Sequence, residues 1–224
     1  MNTFYGLIDY LCRKYLLFLR QNKLVIMSLT LENKIITKIK KAGRGSLFFV
    51  NDFIAFGNSK AVNKVLERLV AKNEIKRVAR GIYTRPKTSS LIGEVMPTAE
   101  NIAKAIAKRD KARIVPTGSF ALNAIGLSTQ VPMNVVYLTD GAARKIRLNN
   151  RTITFKKTSP KNLATIGEIS TLVIQALKEI GKDKVQEWEE KKIIELLKKE
   201  DKIRLQHDLK MAPEWIRIIM RKAI

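Results

Sequence analysis

The sequence predicts an α+β protein: an N-terminal winged helix-turn-helix followed by a mixed α/β domain with C-terminal helices. Three features of the pattern predict it. Between Leu47 and Lys87, two helical segments separated by a glycine precede two short strands rich in arginine and lysine. Beyond residue 91, apolar strands alternate with helices. From Pro160 onward the apolar residues recur at helical spacing.

The 224 residues divide into three parts. Residues 1–27 are an N-terminal extension for which the pattern leaves two interpretations open. It fits a short amphipathic helix, and it fits an upstream extension of the reading frame that ends at Met27. Residues 28–90 form the winged helix-turn-helix, and residues 91–224 form the α/β domain. We predict a linker over Thr88–Pro97, because two serines, a glycine and a proline fall within ten residues.

The charge of the chain favours a polyanionic partner. Its 43 lysines and arginines stand against 20 acids, a formal net charge of +23. Residues 28–90 carry +10 and residues 91–165 carry +8, whereas residues 166–224 carry only +2. Neutralising phosphates releases their counterions, so such an excess favours nucleic acid. A uniformly basic ribosomal-type chain would not divide its charge in this way.

Composition argues against several classes of function. With Cys12 as the only cysteine and His207 as the only histidine, the chain can form neither an internal disulfide nor a Cys/His zinc site. We expect no cofactor and no metal. No run of about 18 apolar residues exists, so no membrane span is predicted, and a cytoplasmic location is expected. His207 is expected to be a surface or packing residue.

Catalysis is not predicted either. Gly118-Ser119-Phe120 is similar to the Gly-Ser opening of nucleotidyltransferases, which is followed by an acidic pair that holds Mg²⁺. Here Ala121–Gly126 contains no acid. We therefore expect that the protein is not an enzyme.

The helix that begins near Asn58 is the candidate DNA-reading element. Its apolar residues recur from Ala61 to Val70 along one face. Asn58 or Ser59 can cap it, because a short side-chain oxygen accepts a hydrogen bond from an unpaired amide of the first turn. The residues predicted to lie nearest the bases of a major groove are Asn58, Ser59, Lys60, Asn63 and Lys64. Arg68 is predicted to contact the DNA backbone.

The hairpin that follows is the candidate wing. Ile75–Ala79 and Ile82–Arg85 are predicted strands joined around Arg80-Gly81, where the glycine can adopt a positive φ. The wing cations predicted to hold the DNA backbone are Lys76, Arg77, Arg80 and Arg85. Charge runs usually form a solvated face. The hairpin directly downstream and the scarcity of acids favour DNA contact instead.

The rest of the first unit supplies its core. We predict a helix over Thr30–Lys41, capped by Ser28 or Thr30, and a short helix over Asn51–Phe56. Phe48, Phe49, Phe53 and Phe56 are predicted to be core, with Ile54 packed under the next helix. Gly57 is predicted to form the tight turn between the two helices.

Beyond the linker, the pattern predicts a helix over Thr98–Lys108, a short strand at Ile114-Val115 and a helix over Ser119–Ile125. Val135–Leu138 reads as a buried strand. Residues 145–148 and 151–155 alternate polar and apolar around two asparagines, which predicts a hairpin. Its outward face would carry Lys145, Arg147, Arg151 and Lys156 or Lys157, either to contact phosphate or for solubility. Three helices follow, at 169–180, 188–197 and 213–221.

Two stretches resemble a known family. The wing sequence Ala79–Tyr83 (ARGIY) is one. The other is Gly118–Pro132 (GSFALNAIGLSTQVP), which is followed by Val136–Gly141 (VYLTDG). Together they resemble the AbiEi-type antitoxins of type IV toxin–antitoxin systems, in the DUF6088 branch. The likeness covers about Ser28–Leu163.

This resemblance implies a winged-helix domain that binds the double-stranded DNA of its own promoter and represses its operon. It also implies a C-terminal domain that counters a nucleotidyltransferase-like toxin encoded beside it, without a stable complex between the two. The rival interpretation, from the residues alone, is a non-catalytic RNA- or protein-binding module with a basic surface.

Overall fold

The computed structural model describes residues 30–91, 93–149 and 151–224 and has a mixed α+β fold. The predictions made for residues 1–27 lie outside the described residues. Contacts divide the chain into two compact units, residues 1–96 and 97–224.

From residue 30 onward, the first unit contains two α-helices, a 3₁₀ helix and short strands. In chain order these are α1 (Leu31–Lys41), β1 (Leu47–Phe49), the 3₁₀ helix Val50–Phe56, α2 (Ser59–Ala71), β2 (Lys76–Ala79) and β3 (Ile82–Thr84). The strands β1, β3 and β2 form an antiparallel sheet in that order. The predicted helices and the hairpin after them are therefore confirmed as elements. The Thr30 side chain caps α1 by accepting a hydrogen bond from the Asn33 amide at 3.3 Å.

A single core joins these elements, and its apolar residues come from α1, β1, the 3₁₀ helix, α2 and the hairpin. Ile35, Phe53, Val62, Leu66 and Leu69 are completely buried in it.

Two packing predictions around the turn before α2 are wrong. Ile54 is 51% exposed and Phe56 is 36% exposed. The segment is a 3₁₀ helix with three residues per turn, so Ile54 does not share the side of Val50 and the buried Phe53 and turns away from the core. Phe56 shares that side but is the last residue of the 3₁₀ helix, where its ring lies under the Lys38 ammonium, 5.4 Å from the ring centroid. Gly57 is extended, with φ 174°, so this connection needs no left-handed glycine.

The predicted linker is largely a hairpin. Its strands are β4 (Lys87–Ser89) and β5 (Gly93–Val95), with Thr88 opposite Glu94. Gly93 has φ 71°, a conformation that glycine reaches without steric cost and that suits a hairpin turn. The serines and the glycine therefore mark a turn between short strands.

The second unit has a four-stranded sheet. Its first elements are α3 (Ala99–Asp110), β6 (Ile114–Thr117), α4 (Ser119–Ala124), β7 (Asn134–Thr139), β8 (Arg144–Leu148) and β9 (Arg151–Lys157). The strand order is β6-β7-β9-β8, with β7 and β9 parallel and the other pairs antiparallel. The predicted buried strand is confirmed as β7, in which Val135 and Tyr137 are each 2% exposed.

Helices complete this unit. After a 3₁₀ turn at Pro160–Leu163 come α5 (Glu168–Ile180), α6 (Glu187–Leu197), α7 (Lys202–Met211) and α8 (Glu214–Arg221). Their apolar faces form one core with α4. Helix α7 was not predicted, because it contributes few buried apolar residues and Ile203 in its first turn is 77% exposed. Within the described residues, no helix has the length and apolar character needed to cross a membrane.

Candidate nucleic-acid interface

The start of α2 is fixed by its cap. The Asn58 side-chain oxygen accepts a hydrogen bond from the Ala61 amide at 2.8 Å. This confirms the predicted capping role, and it changes what Asn58 can offer to a ligand. Its Oδ1 is already engaged, so the side chain presents chiefly its amide N–H donors.

The two sides of α2 differ sharply. Val62, Leu66 and Leu69 are fully buried. On the other side, the predicted base-facing residues Ser59, Lys60 and Lys64 are exposed, and Asn63 is half-buried. Within the described part of the chain, none of these four side chains has a hydrogen bond or an ion pair with another residue. The first two turns of the helix therefore present uncommitted polar groups.

The second half of α2 is different, because its cations are paired. Glu32 of α1 accepts a hydrogen bond from Lys72 Nζ at 2.5 Å, and its other oxygen lies 3.4 Å from Arg68 Nε. The Lys72 hydrogen bond, followed by the charges of Lys72 and Arg68, lowers the pKa of Glu32 from its ordinary value. Arg68, predicted to contact the DNA backbone, is thus held by a carboxylate in the protein alone.

The hairpin that follows carries four more of the predicted residues. Ile82 and Tyr83 of β3 are buried, which fixes the hairpin on the core. Burial raises the pKa of the Tyr83 phenol. Gly81 turns the hairpin with φ 72°, as the sequence predicted. Arg77 and Arg80 project into solvent, and Arg85 is half-buried.

Lys76 differs from the other hairpin cations. Its Nζ donates to Asn73 Oδ1 at 3.2 Å and lies 3.7 Å from Glu94 of β5. Its charge is therefore partly compensated by a carboxylate of β5, the second strand after the hairpin. The ten predicted site residues all lie on α2, its cap, the hairpin and the residue after it.

A second basic surface lies on the sheet of the other unit. In the register of β8 and β9, Lys145 stands opposite Thr154 and Arg147 opposite Thr152. Because side chains alternate along a strand, Lys156 shares this face, whereas Arg151, opposite Leu148, belongs to the other. The prediction that Arg151 lies with Lys145 and Arg147 is therefore wrong. Arg144, also on the other face, pairs with Asp110 and lies over the Phe155 ring.

The sequence also missed a buried carboxylate cluster at the start of α5. Asp208 is completely buried and accepts hydrogen bonds from the Ile166 and Gly167 amides, each at 2.9 Å, and from the Ser170 hydroxyl. Glu200 accepts from the Ile169 and Ser170 amides at 2.7 and 3.1 Å. The two carboxylates together satisfy the amides that a helix start leaves unpaired.

This cluster contains a serine, an aspartate and a histidine, but not in a nucleophilic arrangement. The Ser170 hydroxyl is buried and donates to Asp208, and His207 Nδ1 lies 2.9 Å from the other oxygen of the same carboxylate. The group that faces the Ser170 hydroxyl is the Asp208 carboxylate and not the imidazole, and this carboxylate is already engaged by two backbone amides. The local signal for such a cap was weak, because its partners lie 30 to 42 residues apart.

Metal ligands do not converge in the part of the chain that the structure describes. No group of three or more histidine, cysteine, aspartate or glutamate side chains there has a metal-binding arrangement.

Comparison with known proteins identifies a family for this chain. A family described as a family of unknown function, DUF6088, matches residues 34–205, which include most of the first unit and the sheet of the second. No curated protein matches the chain. The chain therefore belongs to the DUF6088 family.

Proposed function

We propose that the protein is a DNA-binding antitoxin of the AbiEi type and that it represses its own toxin–antitoxin operon. In this proposal residues 30–84 are a winged helix-turn-helix. The order of elements supports it: a helix, a strand, a short helix, a second helix and a hairpin. The sheet supports it as well, because β1 pairs with the hairpin through β3.

The observation that carries the proposal is the state of the side chains at the start of α2. Ser59, Lys60, Asn63 and Lys64 have no side-chain hydrogen bond or ion pair with any described residue. A major groove admits an α-helix, and its base edges and phosphates supply the partners that these groups lack. The cationic hairpin comes only four residues after the helix.

Repression in this proposal is by occupancy of the promoter. Asn58, Ser59, Lys60, Asn63 and Lys64 lie nearest the base edges, and the hairpin cations hold the phosphates. Asn58 enters as a donor, since its oxygen caps the helix. Its natural partners are then acceptor atoms such as guanine O6 and N7 or thymine O4.

The second part of the proposal concerns residues 97–224. We infer that they counter a nucleotidyltransferase-like toxin encoded beside this gene, without catalysis and without a stable complex, in the cytoplasm. Support comes from the resemblance at Gly118–Pro132, which falls within the residues matched by the family. A nucleotidyltransferase-like reading frame directly downstream would be the simplest genetic support.

The experiment that tests the proposal is a footprint on the promoter of the gene itself. The purified chain is titrated onto that promoter fragment in the presence of excess random duplex. Protection of a defined site is the expected result. Uniform coverage of the fragment, with no protected site at any concentration, would contradict operator recognition.

A second candidate function is an RNA- or protein-binding module. The open basic face of β8 and β9 favours it, because Lys145, Arg147 and Lys156 are exposed and their side chains have no hydrogen bond or ion pair within the described chain. Affinities for different nucleic acids, measured at the same salt concentration, distinguish the two candidate functions. Equal affinity for promoter DNA, random DNA and structured RNA would favour the module.

A further inference from the structure

The charge balance along α2 is uneven. Lys60 and Lys64 in its first half are exposed, and their side chains have no ion pair with a described residue. Arg68 and Lys72 in its second half both reach the carboxylate of Glu32, one at each oxygen. The three charged groups together carry +1 in place of the +2 of the cations alone.

The position of this cluster brings it next to the candidate recognition face. Glu32, Lys64 and Arg68 line one groove of about 340 Å³ between the start of α1 and the middle of α2. A phosphate that approaches Lys64 along this groove therefore meets Arg68 with the Glu32 carboxylate beside it. The side chains of Arg68 and Lys72 are 60% and 59% exposed, whereas that of Glu32 is 22% exposed. The cations are accessible to DNA, but the carboxylate competes for them.

We propose that Glu32 sets the sequence selectivity of the protein by withholding Arg68 and Lys72 from DNA phosphates. The inference rests on the proposed function and deepens it. Contacts to phosphate carry no sequence information, and they supply essentially all of non-specific binding. A carboxylate that neutralises two cations beside the recognition face thus lowers affinity for every sequence, while the base-facing residues keep their contacts. The ratio of operator to random binding rises.

The low pKa of Glu32, caused first by the Lys72 hydrogen bond and also by both cationic charges, supports this geometry. It means that the carboxylate stays charged at neutral pH and keeps competing with phosphate. The alternative is that Glu32 serves only to join α1 to α2. In that case its loss changes stability and leaves the salt dependence of DNA binding as it was.

The test compares the full chain with Glu32→Gln and Glu187→Gln. Glu187 pairs with Lys191 at 2.7 Å on α6, so the control breaks an ion pair and changes the net charge equally, outside the first unit. The probes are a random-sequence 30-base-pair duplex and the promoter fragment, each titrated at several salt concentrations.

For Glu32→Gln we expect tighter binding to the random duplex and a steeper fall of affinity with salt. Each added phosphate contact changes the slope of log K against log salt by about −0.9, so the expected change is about −1 to −2. Each contact also multiplies the affinity loss between 50 and 200 mM salt by about 3.5. Operator selectivity falls accordingly, and Glu187→Gln behaves like the parent.

Two further variants isolate the cause. Arg68→Gln should change the slope little in the parent, where the cation is already engaged, but should cancel most of the gain in the Glu32→Gln background. A slope for Glu32→Gln equal to that of the parent and the control, with all three binding DNA, overturns the role of Glu32 and leaves the proposed function standing. If none of the proteins binds either duplex, the proposed function fails, and the inference falls with it.

Discussion

Asp208 lies fully buried at the start of α5, where its two oxygens accept two amide hydrogen bonds and one hydroxyl hydrogen bond. The backbone at residue 167 can lie this close to the side chains that cap α5 because the residue is a glycine. A Cβ added there would lie 2.3 Å from the Ser170 oxygen and 2.7 Å from Glu200. Position 167 therefore has no space for a side chain, because a Cβ there would displace the Ser170 and Glu200 oxygens from their hydrogen bonds.

Replacing Asp208 with asparagine should therefore destabilise the second unit. The amide group would turn an N–H donor toward an existing donor, and an unsatisfied buried group costs about 1–3 kcal/mol. Urea unfolding measures the loss. The matched control is Asp201→Asn, since Asp201 is the exposed cap of α7 and asparagine caps equally well; its expected change is below about 0.5 kcal/mol. Equal effects of the two substitutions would contradict the assigned role.

At the candidate interface, Asn63→Ala should relax sequence preference. An asparagine amide discriminates against the wrong base by about 1–3 kcal/mol when it contacts a base edge. Gel shifts with single base-pair changes across the operator would show one position losing its preference. Asn101→Ala, an exposed asparagine of α3, should leave the preference intact. An Asn63→Ala protein with the full preference of the parent would exclude base contact by Asn63.

Residue roles that depend on neighbours in sequence were predictable, and those that depend on distant partners were not. The caps Thr30 and Asn58 act three residues away, so the local pattern shows them. Glu32 meets cations 36 and 40 residues downstream. Nothing in the local spacing of α1 distinguishes Glu32 from an ordinary first-turn acid. The sequence pattern therefore predicts a phosphate contact for Arg68 and gives Glu32 no place in the site.

At the scale of elements, the proposed function assigns the cations of the β2–β3 hairpin to DNA phosphates. Arg80→Ala should weaken binding to all duplexes alike and flatten the salt slope by about 0.9, because one phosphate contact is lost. The matched control is Arg204→Ala, an exposed arginine of α7 that removes the same charge from the second unit. Titration of operator and random duplex at several salt concentrations gives both quantities. A loss confined to the operator would instead indicate that Arg80 reads a base.

In the second unit, Asp140 joins the residue before β6 to the end of β7. It accepts hydrogen bonds from the Arg113 amide at 2.8 Å and from its guanidinium at 3.1 Å. These hydrogen bonds, the amide's first, lower the pKa of Asp140 from its ordinary value. A lowered pKa in the folded state gives a stabilisation that is present above the unfolded value and is lost as pH falls through the folded value.

Asp140→Asn should therefore be less stable than the parent at neutral pH, and the difference should shrink as the pH falls toward and through the lowered pKa of the folded Asp140. Urea unfolding of both proteins from pH 7 to pH 2 measures this difference. A gap of constant size over the whole range would show that the charge of Asp140 contributes nothing to stability.

Element types followed from the sequence wherever periodicity was strong, as in α1, α2, β7 and α5. The prediction was wrong for Thr88–Pro97, where two strands of three residues are too short to show an alternating pattern. Such strands form because they pair with each other, and the sequence of one strand does not show which strand it pairs with. The parallel pairing of β7 with β9 was not predicted for the same reason.

At the scale of the whole molecule, the first unit and the helices of the second have separate cores. Both tryptophans, Trp188 and Trp215, lie in the second unit. Leu66→Ala should cost the first unit about 2–5 kcal/mol, because Leu66 is fully buried in its core.

We expect this loss to appear in circular dichroism during urea unfolding, with little change in the tryptophan fluorescence transition. Leu177→Ala, equally buried in the second unit, should shift the fluorescence transition. A shift of the fluorescence curve by Leu66→Ala as large as that by Leu177→Ala would show that the two cores unfold as one.

The carboxylates at the start of α5 also determine the order in which a growing chain can fold. Glu200 and Asp208 leave the ribosome thirty or more residues after the amides they bind. Until then, backbone amides at the start of α5 lack their hydrogen-bond acceptors. The residues that form the core of the first unit have all been synthesised earlier. Translation therefore gives the first unit a period in which it can fold before the second unit is complete.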